Sequence, residues 1–491
     1  MRRSGILMHV TSLPSPYGIG TFGAEAESFV DWLVKAGQKY WQILPLTPTG
    51  YGESPYQSFS TFAGNPLLID LDDLVANGML TKSACEEADY GADPSFVDFN
   101  KVYRSKMRLL NQAFKSFEED VPYLAFIQEE AEWLDDYALF MAIKEKNELR
   151  SWQEWDKDLR FRKSAAIEAA REELLERVNF WKFTQYTFIR QWKKLKRYAN
   201  KNGVQIIGDL PIYVALDSSD VWSNTDLFML DVDCKPTKVA GVPPDYFAKE
   251  GQLWGNPLYN WERMKKEKYL WWIKRVKKCA ELYDVIRIDH FRAFDTYYSI
   301  DYGAKNAVIG KWETGPRMDF FNAIEAELGK VNIIAEDLGE VFDSVTELLK
   351  ASGFPGMKIL QFGFNPEHND SDHLPHHYPK NSVVYTGTHD NSTLKGWYKL
   401  EKVATRKMFM KYIKPALFEN INFAAFRALY RSRAMLVILP IQDVLGLCDK
   451  ARMNKPSTLG GNWIWRMKKG KNTAKLAEKL NGLVKTYFRD K

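Results

Sequence analysis

The sequence has few cysteines, no long apolar run and only a small net charge. Its four cysteines are scattered, without a C-x-x-C pair or metal-site spacing, which indicates free thiols in a reducing compartment. No apolar run is long enough to span a membrane, and the N-terminus is too weakly apolar for a signal peptide. We therefore expect a cytoplasmic protein, or a plastid protein if the source is a plant or alga.

The net charge is only +5 on 491 residues. The lysine-rich runs at 265–278 and 468–479 carry apolar residues at helical spacing, which predicts solvated helix faces and not a nucleic-acid footprint. The composition, 45% hydrophobic and 27% charged, is ordinary for a globular protein. We expect no nucleic-acid partner and no membrane partner.

Histidine is also scarce, with seven residues, four of which cluster at His368, His373, His376 and His377. Clustered histidines can bind a metal, but no matching carboxylate or cysteine frame accompanies this group. The sequence therefore predicts no metal site, and we expect no cofactor.

Aromatic residues are abundant: 16 Trp, 24 Tyr and 29 Phe. Many belong in a core, yet Trp and Tyr also offer flat faces to sugar rings. The loop at 50–60 is rich in hydroxyls and rings. Such a loop either connects two elements or contacts a sugar.

The most informative stretch is residues 283–292. Residues 285–288 are apolar except for Arg287 and predict a buried strand. Because alternate strand residues share a face, Arg287 and Asp289 project the same way. This is either a structural ion pair or, at the C-terminal end of a barrel strand, part of a catalytic site.

The same pattern of an apolar run followed by a carboxylate recurs along the chain. It places Asp209, Glu336 and Asp390 at or near the ends of three further predicted strands. Strand and helix patterns alternate around eight times, which predicts an α/β fold, a (β/α)₈ TIM barrel with helical and loop insertions at the C-terminal face of the strands. The carboxylates would then ring one mouth of the barrel.

The barrel is predicted from residues 1–72 and 201–491, including a short strand at 67–71. Residues 73–200 show apolar residues at helical spacing and predict a mostly helical insertion leading into a barrel helix. The segment at about 239–261 has Gly and Pro framing aromatic side chains. It is either a lid over the site or a packed surface loop.

Three carboxylates at one mouth suit a retaining glycosidic mechanism. One carboxylate attacks the anomeric carbon, and a protonated carboxyl about 5–5.5 Å away assists the leaving oxygen. Burial and a neighbouring carboxylate keep that acid protonated near neutral pH. Arg287 beside Asp289 would hold the nucleophile ionised.

These residues resemble a known family. Arg287-x-Asp289, Glu336 and His389-Asp390 are similar to the shared regions of the α-amylase clan. Longer stretches resemble one branch of it, glycoside hydrolase family 77, the amylomaltases or 4-α-glucanotransferases, also called disproportionating enzymes. The resembling segments run the length of the chain, at 4–20, 51–70, 208–222, 239–261, 285–294, 333–339, 383–392 and 452–466.

The resemblance implies that Asp289 is the nucleophile, Glu336 the general acid/base and Asp390 the transition-state stabiliser. It implies transfer of α-1,4-glucan segments from malto-oligosaccharides, starch or glycogen-type glucans to another glucan or to glucose, without the calcium site of amylases. The substrate-binding residues that it implies are Ser54, Tyr56, Asp209, Gln252, Trp254, Arg287, His290, His389 and Asn462.

Four positions depart from the family pattern as we expect it. Val10 and Ser15 stand in place of Pro and Gly, and Ser457 stands in place of Gly. Asn365 takes roughly the place of an Asp that binds sugar in relatives. The last change alters one subsite contact and leaves the chemistry intact.

Two alternatives remain. The first is a hydrolase or another transferase of the same clan, with the same three acids and a different acceptor. The second is a non-catalytic glucan-binding protein on a barrel that has lost activity. The intact acid set argues against the second, because a binding protein has no need of all three.

Overall fold

The computed structural model describes residues 2–244, 249–339, 342–367 and 370–490. Over these residues, eight parallel strands form one sheet and four antiparallel strands form another. The strands, in chain order, are β1 (Arg3–Leu7), β2 (Tyr40–Gln42), β3 (Gln205–Pro211), β4 (Lys238–Val242), β5 (Gln252–Pro257), β6 (Val285–Asp289), β7 (Thr296–Asp301), β8 (Lys311–Thr314), β9 (Ile333–Ala335), β10 (Gly356–Ile359), β11 (Ser382–Tyr385) and β12 (Leu436–Pro440).

The eight-stranded sheet has the order β10-β11-β12-β1-β2-β3-β6-β9. Its two outer strands are joined by a hydrogen bond from the Ala335 N–H to the Pro355 carbonyl at 3.0 Å, so the sheet curls into a nearly closed barrel. The predicted (β/α)₈ barrel is confirmed. All carboxyl ends of its strands face one mouth, because every pairing in this sheet is parallel.

Helices connect and surround the strands. They are α1 (Ala24–Lys35), α2 (Leu71–Ala76), α3 (Lys82–Glu86), α4 (Phe99–Lys115), α5 (Val121–Glu129), α6 (Ala131–Lys146), α7 (Lys157–Arg160), α8 (Ser164–Glu173), α9 (Leu175–Lys201), α10 (Ser219–Ser223), α11 (Trp261–Lys266), α12 (Leu270–Leu282), α13 (Arg317–Leu328), α14 (Asp343–Ser352), α15 (Leu394–Leu400), α16 (Val403–Ile413), α17 (Ile421–Arg431), α18 (Ile441–Val444) and α19 (Ala474–Thr486). Across the described residues, no helix has the length and apolar character needed to cross a membrane.

The core lies inside the barrel and between the barrel and its helices. Every residue of β11 and β12 is buried. Parallel strands that are covered on both faces carry near-continuous apolar side chains. This explains why the sequences of these two strands are short and rich in Val, Ile and Leu. A polar side chain on the inner face of such a strand is therefore exceptional, and Asp209 and Arg287 are two of them.

One predicted strand is wrong. Residues 67–71 form the end of a 3-10 helix, Pro66–Leu68, and the first residue of α2. Polar side chains cap both helices: Asn65 Oδ1 accepts the Leu67 N–H at 2.9 Å, and Asp70 Oδ2 accepts the Asp73 N–H at 3.1 Å. These local caps and a proline at the first helical position outweigh the β preference of a short apolar run.

The helices α2 to α9 lie between β2 and β3, in the stretch predicted as a helical insertion. The division of the chain into a barrel and an insertion stays a prediction. Within the predicted lid-like segment, β4 and β5 pair antiparallel and extend through β7 to β8. Of the aromatic residues on which the lid prediction rests, Trp254 lies in β5, and those at 246 and 247 lie outside the described residues. The lid stays a prediction.

Candidate active site

Arg287 and Asp289 project from the same face of β6, as their spacing predicts. Nη2 of Arg287 lies 2.9 Å from Oδ1 of Asp289. The register of β3 and β6 sets Asp209 opposite Arg287, and Nη1 of Arg287 donates to both oxygens of Asp209 at 2.7 Å. One guanidinium thus bridges two carboxylates, and this fixes the orientation of Asp289 at the barrel mouth.

Glu336 directly follows β9, the neighbour of β6. The hydrogen bonding between β6 and β9 continues past the end of β9, because the Glu336 N–H donates to the Ile288 carbonyl at 3.0 Å. Each carboxylate oxygen accepts one backbone N–H: Oε2 from His290 at 2.7 Å and Oε1 from Leu338 at 3.0 Å. Because Ile288 pairs with Ala335 in this ladder, the next residues, Asp289 and Glu336, lie side by side at the ends of adjacent strands.

Both carboxyls have raised pKa values. Burial raises the pKa of Asp289 to about 8 against the opposing effect of Arg287, and the charges of Asp209, Glu336 and Asp390 raise it further. Burial also raises the pKa of Glu336, although Arg287 and the two backbone hydrogen bonds to Glu336 act against this. Burial thus favours the protonated form of both carboxyls, and Arg287 opposes it at both.

The two carboxyls have different surroundings. The Asp289 side chain is 27% exposed and contacts a guanidinium, which favours its charged form against the effect of burial. Glu336 is buried and accepts two backbone N–H groups. Glycoside cleavage with retention requires one of two carboxyls to be charged and the other protonated.

Tyr56 connects the loop after β2 to this cluster. Its hydroxyl donates to Oδ2 of Asp209 at 2.6 Å. Its ring stacks on the imidazole of His389, with centroids 5.3 Å apart and planes at 10°. Burial and the neighbouring charge of Asp209 raise the pKa of Tyr56, so the phenol stays protonated and keeps its role as a donor.

Asp390 reaches the same mouth from the turn after β11. Nε2 of His389 lies 3.3 Å from Oδ2 of Asp390. Burial lowers the pKa of His389, so its ring is a neutral hydrogen-bonding group near neutral pH. The charges of Asp390 and Glu336 both raise the pKa of Asp289, so both of these acids lie within electrostatic reach of Asp289.

His290 and Trp254 form one wall near the acids. His290 has left-handed backbone angles, φ 54° and ψ 48°, which turn the chain so that its N–H meets Glu336. Such a conformation is costly for a non-glycine residue and is typical of functional sites. The indole of Trp254 meets the His290 ring edge-on at 4.8 Å and donates from Nε1 to Gln252 Oε1 at 3.2 Å.

Two other predicted binding residues have local roles. Ser54 Oγ accepts the Tyr56 N–H at 3.2 Å and so shapes the loop that carries Tyr56. Asn462 Oδ1 accepts the Lys455 N–H at 3.0 Å, and its Nδ2 donates to the Thr458 carbonyl at 3.0 Å. Among the described residues, these bonds stay inside their own loops, and direct sugar contact by either residue stays a prediction.

The four positions that depart from the family pattern include one strained residue. Ser457 has φ 61°, a left-handed conformation that costs a non-glycine residue about 1–2 kcal/mol. Ser15 Oγ accepts the Thr21 N–H at 3.1 Å, and Val10 lies fully buried in a 3-10 turn. Asn365 Oδ1 accepts the Glu367 N–H at 3.0 Å.

The sequence reasoning missed three residues that contact the site. Nδ2 of Asn454 donates to Oδ1 of Asp390 at 2.6 Å, and Nη2 of Arg452 donates to the Asp390 carbonyl at 2.5 Å. The ring of Trp463 lies 5.8 Å from that of Tyr56. All three belong to the segment 452–466, which resembles the family, and this was the only signal that pointed to them.

The described residues contain no group of three or more His, Cys, Asp or Glu side chains arranged to hold a metal ion. In the histidine-rich stretch, His373 Nδ1 accepts the Ile359 N–H at 3.0 Å, and His376 Nδ1 lies 2.8 Å from the Tyr412 hydroxyl. His368 lies outside the described residues. His373 and His376 therefore have hydrogen-bond partners within the protein.

Sequence comparison gives a match along almost the whole chain. A family model described as 4-alpha-glucanotransferase, glycoside hydrolase family 77, matches residues 8–473. The chain is 49% identical over 486 residues to the 4-alpha-glucanotransferase of Clostridium butyricum, which covers 98% of this chain and 100% of the relative. It is 43% identical over 501 residues to the 4-alpha-glucanotransferase of Thermus thermophilus, with 99% of each chain covered.

Comparison with solved structures agrees with the sequence matches. The amylomaltase of Streptococcus agalactiae, solved in complex with acarbose, superposes with a TM-score of 0.97 at 43% identity and 100% coverage of both chains. The amylomaltase of Corynebacterium glutamicum shares the fold, with a TM-score of 0.78 at 18% identity over 98% of this chain and 75% of that one. The chain belongs to glycoside hydrolase family 77, the 4-α-glucanotransferase family.

Proposed function

We propose that this protein is a 4-α-glucanotransferase that moves an α-1,4-glucan segment by a retaining double displacement. The observation that carries the proposal is the pair at the ends of β6 and β9: Asp289 held by Arg287 at 2.9 Å, with Glu336 on the adjacent strand. A retaining mechanism needs two carboxyl groups about 5–5.5 Å apart, and side chains at the ends of adjacent strands can meet that requirement.

In the first step, an oxygen of Asp289 bonds to the anomeric carbon as the bond to the glycosidic oxygen breaks. Glu336 gives its proton to the departing 4-hydroxyl, so the leaving sugar is neutral. Arg287 keeps the attacking carboxylate charged and aimed. Asp390 places a negative charge near the positive, oxocarbenium-like transition state.

In the second step, the 4-hydroxyl of an acceptor glucan or of glucose gives its proton to Glu336 and attacks the same carbon. The ester bond to Asp289 breaks, and the configuration at carbon is restored. Tyr56, with its hydroxyl on Asp209 and its ring on His389, forms a rigid floor beside the acids. Trp254 against His290 offers an aromatic face for an acceptor ring, which would favour sugar over water.

The proposed substrates are malto-oligosaccharides and starch or glycogen-type glucans. The proposed location is the cytoplasm, or a plastid if the source is a plant or alga. Four free cysteines support a reducing compartment. No step of the mechanism needs a metal or cofactor, because the proton transfers and the nucleophile come from carboxyl groups.

Maltotriose tests the proposal directly. Incubation should give glucose together with a ladder of chains longer than maltotriose, because each cleaved segment is passed to another sugar. The matched control is Asp289→Asn, which keeps the side-chain shape and should give no ladder. Glucose and maltose alone would identify a hydrolase and contradict the proposal.

A further inference from the structure

The segment that follows β12 contacts the turn that carries Asp390, which follows the adjacent strand β11. Nδ2 of Asn454 donates to Oδ1 of Asp390 at 2.6 Å, and the Asn454 N–H donates to the His389 carbonyl at 3.1 Å. One residue therefore binds both the side chain of the acid and the backbone beside it. The two loops are 64 residues apart in sequence, so this is a tertiary contact and not a local turn.

Arg452 fixes the same two loops to each other. Its Nη2 donates to the Asp390 carbonyl at 2.5 Å, its Nη1 to Ser392 Oγ at 3.2 Å, and its Nε to the Asn454 carbonyl at 2.7 Å. The planar guanidinium donates in fixed directions, so these three bonds define the distance between Asp390 and Asn454. Arg452 thus holds in place the residue that holds Asp390.

Both oxygens of Asp390 lie beside polar side chains. Oδ1 accepts from Asn454, and Oδ2 lies 3.3 Å from Nε2 of His389. The side chain is nevertheless 40% exposed. The hydrogen bond from Asn454 restrains the orientation of the carboxylate, so its charge is in place before the transition state forms.

We propose that Asn454 is a positioning residue for the transfer reaction, that it acts by orienting Asp390, and that Arg452 supports it. This inference rests on the proposed function, because it needs Asp390 to act on the transition state. Asn454 donates to the acid and takes no part in bond making. Its loss should therefore lower kcat and leave KM almost unchanged.

A double-mutant cycle tests the proposal, with single-turnover rates for Asn454→Ala, Asp390→Asn and both together. We expect Asn454→Ala to lower kcat about 10- to 100-fold and to change KM less than about threefold, because a misplaced catalytic group is costly. The double variant should be no slower than Asp390→Asn alone, since Asn454 would act only through Asp390. A double variant slower by the product of the two single effects would overturn the proposal.

The control is Asn381→Ala. Asn381 also donates through its side-chain amide, to the Gly353 carbonyl at 3.1 Å, but it precedes β11 and lies at the opposite end of the strand from Asp390. Its removal should leave kcat within about twofold of wild type, because surface changes of this kind are small. The thermal midpoint of each variant, measured in parallel, separates lost positioning from lost folding.

Asn454→Asp is a second, isosteric variant that preserves the fold. It replaces a donor with a carboxyl group beside Asp390, so the two acids would share a proton. The acidic limb of its kcat profile should move to higher pH than that of wild type, and a superimposable profile would overturn the proposal.

If Asp390→Asn is itself as active as wild type, the proposed role of Asp390 fails. If Asp390→Asn is inactive and Asn454→Ala is fully active, only the role of Asn454 fails.

Discussion

Asp209 and Arg287 face each other in register across β3 and β6, and one guanidinium nitrogen donates to both carboxylate oxygens at 2.7 Å. The two side chains are 0% and 4% exposed. A charge buried this deeply is costly unless it is paired. Because the second terminal nitrogen of Arg287 contacts Asp289, the buried pair restrains Asp289, the proposed nucleophile.

Arg287→Lys should lower kcat for transfer from maltotriose about 100-fold or more. Lysine keeps the charge, but its single ammonium cannot bridge Asp209 and Asp289 in the geometry of a fork. Steady-state kinetics with maltotriose measures the change. Retention of half the wild-type rate would show that only the charge at this position matters.

Tyr56→Phe should lower kcat/KM about tenfold, equivalent to about 1.4 kcal/mol, because Asp209 loses a donor at 2.6 Å. Tyr56→Ala should cost more, since it also removes the ring stacked on His389. Comparing the two variants in one assay separates the hydroxyl from the ring. Equal losses in both would mean that the stacking contributes nothing.

The plot of kcat/KM against pH should be bell-shaped and should lie at higher pH than the pKa values of free carboxyl groups would give. The active form of the Asp289–Glu336 pair carries one proton. Since burial raises the pKa of Glu336, the proposed acid keeps its proton to higher pH than a free glutamic acid does, and kcat/KM should fall on the alkaline side as that proton is lost. Rates on maltotriose across the pH range, with fluorescence to confirm the folded state, test this. A decline centred below pH 6 would contradict the assigned pair.

The strand periodicity predicted the barrel and the shared face of Arg287 and Asp289, because alternation along a strand is a local property. The bond from Arg287 to Asp209 depends on register between strands that are distant in sequence, which no local pattern encodes. The role of Asn454 was missed for the same reason. The strand at 67–71 was wrong because the caps at Asn65 and Asp70 decided the local structure.

Arg275→Met should lower the free energy of unfolding by about 3 kcal/mol or more. Arg275 is 1% exposed and donates to Thr61 Oγ1, the Tyr259 hydroxyl, and the carbonyls of Pro211 and Ile212. Its removal takes four hydrogen bonds from a buried site, and a buried acceptor left without a donor costs about 1–3 kcal/mol. Denaturant unfolding measures the loss.

Arg263→Met is the matched control for that measurement. Arg263 is 46% exposed and pairs with Asp226 and Glu267 at the surface. Exposed ion pairs contribute about 1 kcal/mol or less, so the free energy of unfolding should change little. Similar losses in the two variants would contradict the structural role of Arg275.

The central claim is that Asp289 forms a covalent bond to the sugar while Glu336 moves the proton. Glu336→Gln with a maltosyl fluoride tests it, because fluoride leaves without protonation and the missing base slows the second step. Mass spectrometry of the quenched, digested protein should find a maltosyl group on the peptide that contains Asp289. A sugar attached to any other residue, or no adduct while fluoride is released, would contradict the account.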